Sequence, residues 1–333
     1  MWKKVSAVVI PTVIAAALLG YMLLRVWDEL QGNLESILES LVPTWLIVAI
    51  CICVLAWFLR GFRYKYIIKR LGTEIGLIFS TACIYVSQTA NLIIPARLGD
   101  VVRMFILKHE KGMPYTNGFT SLIVERVYDI LVLAVLGLCS LPFLISLIPA
   151  DYGWFVWLIL FVLIAGIVGI IILLLAKWLH AENKILKKIL EVFAQFRQVS
   201  ATISSLGILS GTSVIIWMMD VLVCYLVCMM LAVDVPFMLV LLAIVIGNLI
   251  KAVPITPGGI GTYEAALAII FEIGGVASFT AFLIAVIDHL IKNLVTLVGG
   301  LISLYYFGDW SVSLLKRLFK EDTKKLKEDT DNL

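Results

Sequence analysis

Apolar residues fill most of this chain in long runs, and the polar interruptions mark where those runs turn. Stretches free of Lys and Arg extend over residues 26–59, 127–176, 198–250 and 252–291. A helix needs about 20 predominantly apolar residues to cross a bilayer, so the pattern predicts an all-α, polytopic membrane protein. The expected elements form a single transmembrane domain over 1–333: a first span over 5–27, a first unit over 43–147, a linking span over 154–176, a second unit over 206–307 and a tail over 308–333. Two shorter segments have one apolar face at helical spacing and are expected to lie along an interface. One is the acidic link near Glu35, with Leu30, Leu34, Ile37, Leu38 and Leu41; the other is 184–197, with Ile185, Leu186, Ile189, Leu190, Phe193 and Phe196. The first run is too long for the core of a signal peptide and is expected to be retained.

Two of the apolar runs are broken in a similar way. The stretch from Lys251 to Glu264 places Pro254, Pro257, Gly258, Gly259 and Gly261 where an unbroken helix would need its donors. Proline removes a donor and glycine relaxes the backbone, so a helix should stop here and restart near Thr262. The stretch from Asn91 to Arg103 has the same order of Asn, Pro95, Gly99 and acid. Broken backbone facing lipid is not tolerated, so each break must be buried in protein or face a wet cavity. Paired breaks in corresponding halves point to a transporter site.

Charge sets the expected topology. Basic residues gather near Lys3 and Lys4, at 60–70, at Lys108 and Lys111, at 177–197 and in the tail. The positive-inside rule puts all of these, and hence both termini, in the cytoplasm. Residues 73–107 then enter and leave on the inner side, and 237–273 form a second re-entrant hairpin from outside. The two units have opposite orientation, an inverted-topology repeat. A single tilted crossing for each hairpin is the alternative.

The composition supports this class and excludes others. Apolar residues make up 62% and charged residues 15% of the chain, with a mean hydropathy of +1.06. No separate soluble domain fits, and no nucleic-acid partner is expected. Six cysteines and three histidines are too scattered for a metal site. Cys224 and Cys228 share a helix face but lack the third and fourth ligands that zinc takes. The glycines at 258–261 have no Gly-Lys-Ser/Thr ending and no preceding strand, so they do not form a nucleotide loop. No catalytic triad, metal or cofactor is expected.

Charges inside the spans are the candidate chemistry. Arg97, Arg103, Arg126, Lys251 and Lys292 accompany Asp100, Glu125, Asp129, Asp220, Glu264, Glu272 and Asp288. A charge at the bilayer centre costs on the order of 3 kcal/mol or more, so these should be paired or wetted. Glu125 with Asp129, and Asp288 with Lys292, share helix faces at i,i+4, and Arg126 can reach Asp129 at i,i+3. Arg103 can instead snorkel to the surface, Glu272 is expected at the surface, and Asp220 is a candidate structural hydrogen-bonding residue. A purely structural network that fixes helix register is a second reading of the whole set. Half-helix N-termini after Pro95 and Pro257 suit an anion such as a lipid phosphate, and Arg97 adds a forked donor. Asp100 and Glu264 could instead cap those helices. The expected substrate-binding set is Asn91, Arg97, Asp100, Glu125, Arg126, Asp129, Asn248, Pro257, Gly258, Gly259, Gly261, Glu264, Asp288 and Lys292.

Asn91…Pro95-x-Arg97-x-Gly99-Asp100…Arg103, Glu125-Arg126-x-x-Asp129 and Pro254-x-x-Pro257-Gly258-Gly259-x-Gly261-x-x-Glu264 resemble the flippase-like membrane family related to the transmembrane part of lysylphosphatidylglycerol synthase. The resemblance implies movement of a phosphate-bearing membrane lipid between leaflets of the plasma membrane. Lysyl transfer is not expected with it, because a short charged tail stands where those synthases have an aminoacyl transferase domain. Asp288-His289-Leu-Ile-Lys292-Asn293 departs from the more Arg- and Tyr-rich pattern of relatives, which loosens the assignment there. The substrate expected is an anionic or aminoacylated phospholipid or a polyprenyl-linked lipid. Two other functions stay open: a membrane subunit or enzyme of surface glycolipid synthesis, and a small-solute exchanger. A homodimer and a lipid-modifying enzyme are the protein partners compatible with this reading.

Overall fold

The structure is a computed structural model that describes residues 2–29, 31–32, 39, 41–94, 98–144, 157, 160–161, 164, 168, 184–253 and 255–319. Pro95, Arg97 and Pro254 lie outside the described residues, as do most of the acidic link, most of the linking span and the tail beyond 319. The described chain is helical, with no strand among the described residues. The helices are α1 (Trp2–Arg25), α2 (Pro43–Arg70), α3 (Leu77–Ile93), α4 (Gly99–Lys111), α5 (Tyr115–Leu144), α6 (Lys184–Ser200), α7 (Ile203–Met230), α8 (Phe237–Ala252), α9 (Thr262–Ile273), α10 (Ser278–Phe307) and α11 (Asp309–Phe319).

Three of these, α2, α7 and α10, are long and apolar enough to cross a membrane. At ~1.5 Å per residue their 28, 28 and 30 residues extend over about 40 Å, more than the ~30 Å of hydrocarbon. They also carry exposed large apolar side chains, Ile47, Leu55, Phe58 and Phe62 on α2 and Leu294, Val298, Leu301 and Tyr305 on α10. Such surface is costly in water and neutral in lipid.

Contacts divide the chain into two compact units, one comprising Met1–Ala56, Ile130–Ile167 and Ile215–Val295, the other Trp57–Asp129, Val168–Val214 and Thr296–Leu333. The first unit is built around the hairpin of α8 and α9. With 16 and 12 residues these helices are roughly 24 and 18 Å long, too short to cross singly. They run antiparallel: Gly247, near the end of α8, lies against Tyr263 and Leu267, while Gly274, after α9, lies against Leu239. Residues 239–247 of α8 are buried all round, which marks a core helix rather than an amphipathic one. Helix α1 packs on α9 and on the single 3-10 turn Pro257–Gly259 between the arms.

The second unit is built around the hairpin of α3 and α4, 17 and 13 residues long. Asp100, at the start of α4, meets Ser87 and Asn91 near the end of α3, while Lys111 Nζ lies 5.2 Å from the Phe79 ring near its start. The arms are therefore antiparallel as well. Gly112, left-handed at φ 65°, ends α4 by donating its N–H to the carbonyls of Leu107 and Lys108. Trp57 of α2 stacks on Tyr85 at 4.7 Å. Thr89 donates to the carbonyl of Thr296 at 2.9 Å, and any Cβ on Gly300 would overlap the Thr89 side chain. Helix α6 buries Val192, Phe196 and Val199, and its Gln195 binds Asn117 and Thr120 of α5. Trp310 of α11 stacks on His109 at 4.0 Å.

Candidate functional site

Each unit carries a buried polar network at the break between the arms of its hairpin. In the second unit it begins with Asp100, in the first turn of α4, where a carboxylate also meets the positive end of the helix dipole. Its carboxylate accepts from Asn91 at 2.9 Å, Gln88 at 3.1 Å, Ser87 at 3.3 Å and the Arg126 guanidinium at 2.6 Å. Gly99 makes this approach possible, since a Cβ there would strike the Ser87 carbonyl and Asn91. One turn along α4, Arg103 donates to Glu125 of α5 and lies 5.0 Å from the Tyr64 ring. The other Glu125 oxygen is 3.8 Å from Arg63 of α2. Arg63 then grips Asp129 with both terminal nitrogens, at 2.6 and 3.2 Å, and donates to Ser213 at 2.7 Å. Three arginines and three acids alternate through α2, α4 and α5 among the described residues. The side chains of Arg63 and Arg103 are only 4% and 2% exposed. Charges so buried persist because they are paired, and removing one partner of such a pair costs about 3–5 kcal/mol.

The first unit holds a different network, assembled from α7, α8, α9 and α10. At the break, Gly258, Gly259 and Gly261 all have positive φ, at 64°, 79° and 83°. Only glycine takes this region without strain. At Gly261 a Cβ would also meet the Ala15 carbonyl of α1 at 2.9 Å. Glu264, at the third position of α9, accepts the Gly261 N–H at 2.7 Å on one oxygen and faces His289 Nδ1 at 2.7 Å with the other. His289 Nε2 lies 3.0 Å from Lys251 Nζ, at the end of α8. Tyr263 donates to Asp288 at 2.8 Å, and Lys292 reaches Asp288 at 2.9 Å, the Tyr263 hydroxyl at 3.2 Å and Asp220 of α7 at 3.4 Å. Asn248 lies 3.5 Å from Asp220 and donates to the Ile244 carbonyl at 2.9 Å.

The expected residues thus divide between the two networks. Asn91, Asp100, Glu125, Arg126 and Asp129 come together in one; Asn248, Glu264, Asp288 and Lys292 come together in the other, beside Pro257, Gly258, Gly259 and Gly261. Arg97 lies outside the described residues. Several local expectations are corrected. Arg126 turns to Asp100 rather than to Asp129 one turn away, and Asp129 takes the two-pronged grip of Arg63 from another helix. A carboxylate already oriented by three amide and hydroxyl donors is the better-organised partner for Arg126. Arg103 does not snorkel, because Glu125 is within reach in the interior. Glu264 caps its helix as the alternative reading held, and both of its oxygens are engaged. Glu272 is part-exposed and pairs with Arg25 at 3.0 Å. No group of three His, Cys, Asp or Glu able to hold a metal occurs among the described residues.

Other members lie outside the expected binding set: Arg63, Arg103, Asp220, Lys251, Tyr263 and His289. Arg63 sits in the basic run 60–70, which charge bias assigns to the surface. Its signal was Glu125 and Asp129 sharing one face, two acids that require a cation from elsewhere. Lys251 already stands among the charges inside the spans, whereas the signal for Tyr263 and His289 is only their place beside Glu264 and Asp288.

The chain matches the model of the lysylphosphatidylglycerol synthase TM region over residues 8–300. It is 30% identical over 332 residues to a Haloferax volcanii protein named glycosyltransferase AglD, covering 87% of this chain and 53% of that relative. It is 35% identical over 107 residues to a UPF0104 membrane protein of Methanothermobacter thermautotrophicus, covering 32% of each chain. The chain thus spans about half and about a third of the length of these two relatives. A UPF0104 membrane protein of Methanocaldococcus jannaschii is 27% identical over 219 residues, covering 65% of this chain and 92% of that one. The match over nearly the whole chain, the helices long and apolar enough to span and the broken-hairpin motifs agree: the protein belongs to the membrane family of the lysylphosphatidylglycerol synthase TM region.

Proposed function

We propose that the protein is a flippase-like transporter that moves an anionic or aminoacylated phospholipid, or a polyprenyl-linked lipid, between leaflets. The single observation that carries this reading is the recurrence, in each unit, of a buried charge network at the break of a short helical hairpin. Such networks are expensive inside a membrane and accompany ion or substrate pathways, and broken helices at membrane depth mark transporter sites. In this reading both hairpins are re-entrant, the units form an inverted repeat, and the protein lies in the plasma membrane with both termini in the cytoplasm. Arg97 and the Gly258–Gly261 backbone would take the phosphate oxygens. Glu125, Asp129, Glu264 and Asp288 would balance a cationic head group or relay protons. A homodimer and a lipid-modifying enzyme fit as partners.

The test is leaflet-resolved lipid analysis in cells with and without the protein, followed by reconstitution with the lipid that changes. Arg97→Ala and Glu264→Gln should lose translocation while the helices and melting behaviour are kept. Translocation unchanged in both variants would count against the assigned site.

One observation favours a second reading, a membrane component of surface glycan synthesis: the relative named as a glycosyltransferase aligns with most of this chain. Purified protein would then alter a polyprenyl-phosphate sugar chemically, or be required by an enzyme that does. Relocation of the intact lipid without chemical change would reject it.

A further inference from the structure

We propose that Lys251, His289 and Glu264 form a proton relay that ends on the backbone break at Gly258–Gly261, so that protonation reshapes the hairpin and translocation is coupled to protons. The proposal deepens the transport reading and rests on it for what the proton drives.

The chain of contacts is continuous. Lys251 Nζ is 3.0 Å from Nε2, Nδ1 is 2.7 Å from one Glu264 oxygen, and the other Glu264 oxygen is 2.7 Å from the Gly261 nitrogen. An ammonium can only donate, which leaves Nε2 as the acceptor and puts the ring proton on Nδ1, directed at the carboxylate. The imidazole is therefore neutral and has both nitrogens in a line of transfer. One end of that line is partly exposed at Lys251, next to the break, while His289 is 1% exposed. Lys251 is placed there by the break itself, for its stem passes over Gly259, where a Cβ would meet its Cγ at 2.7 Å.

The transfer balances without a further reactant. A hydronium ion gives its proton to the Nε2 lone pair as the Lys251 ammonium moves off it: its O–H bond breaks, one N–H bond forms and neutral water is left. The Nδ1–H bond then breaks and its proton passes to Glu264, turning the carboxylate into a carboxylic acid. Hydrogen bonds to an ionised acceptor are roughly twice as strong as neutral ones, so the Gly261 N–H is held less tightly once Glu264 is neutral. Gly261 is the N-cap of α9, and the change therefore reaches the entry angle of that helix. The groups facing His289 are Lys251 from α8, Tyr263 and Glu264 from α9, and Asp288 and Lys292 on its own helix, with Asp220 and Cys224 of α7 behind them. Tyr263, Asp288, Lys292 and Asp220 bind one another, and they give the relay a fixed wall rather than a competing exit.

The experiment uses the full chain with nitrogen-15 histidine and glycine in lipid nanodiscs. His289→Asn identifies the ring signal. The neutral ring should carry its proton on Nδ1, and acidification should move the Gly261 amide together with protonation of the His289–Glu264 pair. Glu264→Gln should abolish that amide response, with a retained cooperative melting transition showing that the variant is folded. A Gly261 amide that ignores protonation of the pair, or a pair that takes no proton before the wild-type protein unfolds, overturns the relay. A second arm follows fluorescent phosphatidylglycerol across vesicles bearing an imposed pH gradient. Wild-type rates should follow the gradient, and rates for His289→Asn should not. Lipid that moves at a rate independent of the gradient overturns the coupling and leaves the transporter reading standing. A coupled titration of His289 and Gly261 without any lipid movement upholds the relay and removes that reading.

Discussion

Arg63 and Asp129, 66 residues apart in sequence, are joined by two hydrogen bonds of 2.6 and 3.2 Å that tie α2 to α5 inside the second unit. The pair is almost dry, and Arg63 keeps two contacts beyond it, to Ser213 and Glu125. Removing Arg63 leaves two buried acids short of a cation. Arg63→Ala should destabilise the protein by about 3–5 kcal/mol, measured by unfolding in detergent micelles. Arg63→Lys should recover only part of this, because an ammonium cannot reproduce the planar fork.

Gly99 and Gly112 separate steric from conformational need at the two ends of α4. Gly99→Ala pushes a methyl group into the Ser87 carbonyl and Asn91, and should cost about 1–3 kcal/mol. Gly112→Ala meets open space but must hold φ 65°, and should cost about 1 kcal/mol. Hydrogen exchange along the end of α3 should rise in the first variant and stay near wild type in the second.

Arg126 supplies the charged partner of Asp100 and is the more exposed member of that pair, at 39% against 14%. Arg126→Ala leaves Asp100 with its three neutral donors but no cation, so some loss of stability is expected beside the functional one. Lipid translocation in reconstituted vesicles should fall about tenfold, equivalent to ~1.4 kcal/mol of lost stabilisation. A rate equal to wild type would place Arg126 outside the transport path.

The Arg25–Glu272 pair is the contrasting case. The Arg25 side chain is 49% exposed, and part-exposed ion pairs are worth less than about 1 kcal/mol. Glu272→Gln should shift the melting transition slightly if at all, and leave translocation untouched.

The all-α membrane class and the family could be read from the chain because apolar run length and the proline–glycine breaks act locally. Partner choice was less legible. Asp129 has a neighbour of opposite charge at i,i+3, yet its stronger partner comes from α2, where Arg63 hides in a run of surface-type charges. Helical spacing says which residues share a face, but only the packing of other helices says what that face meets. The same limit applies to His289, whose two nitrogens meet Lys251 and Glu264 from other helices.

The seat of Thr89 against Gly300 has a mechanical outcome. The hydroxyl bond to the Thr296 carbonyl and the missing methyl at 300 leave no slack between α3 and the last turns of α10, so sliding one along the other would cost both the bond and the fit. Whatever stroke the α3–α4 hairpin makes, that length of α10 must travel with it as one lever.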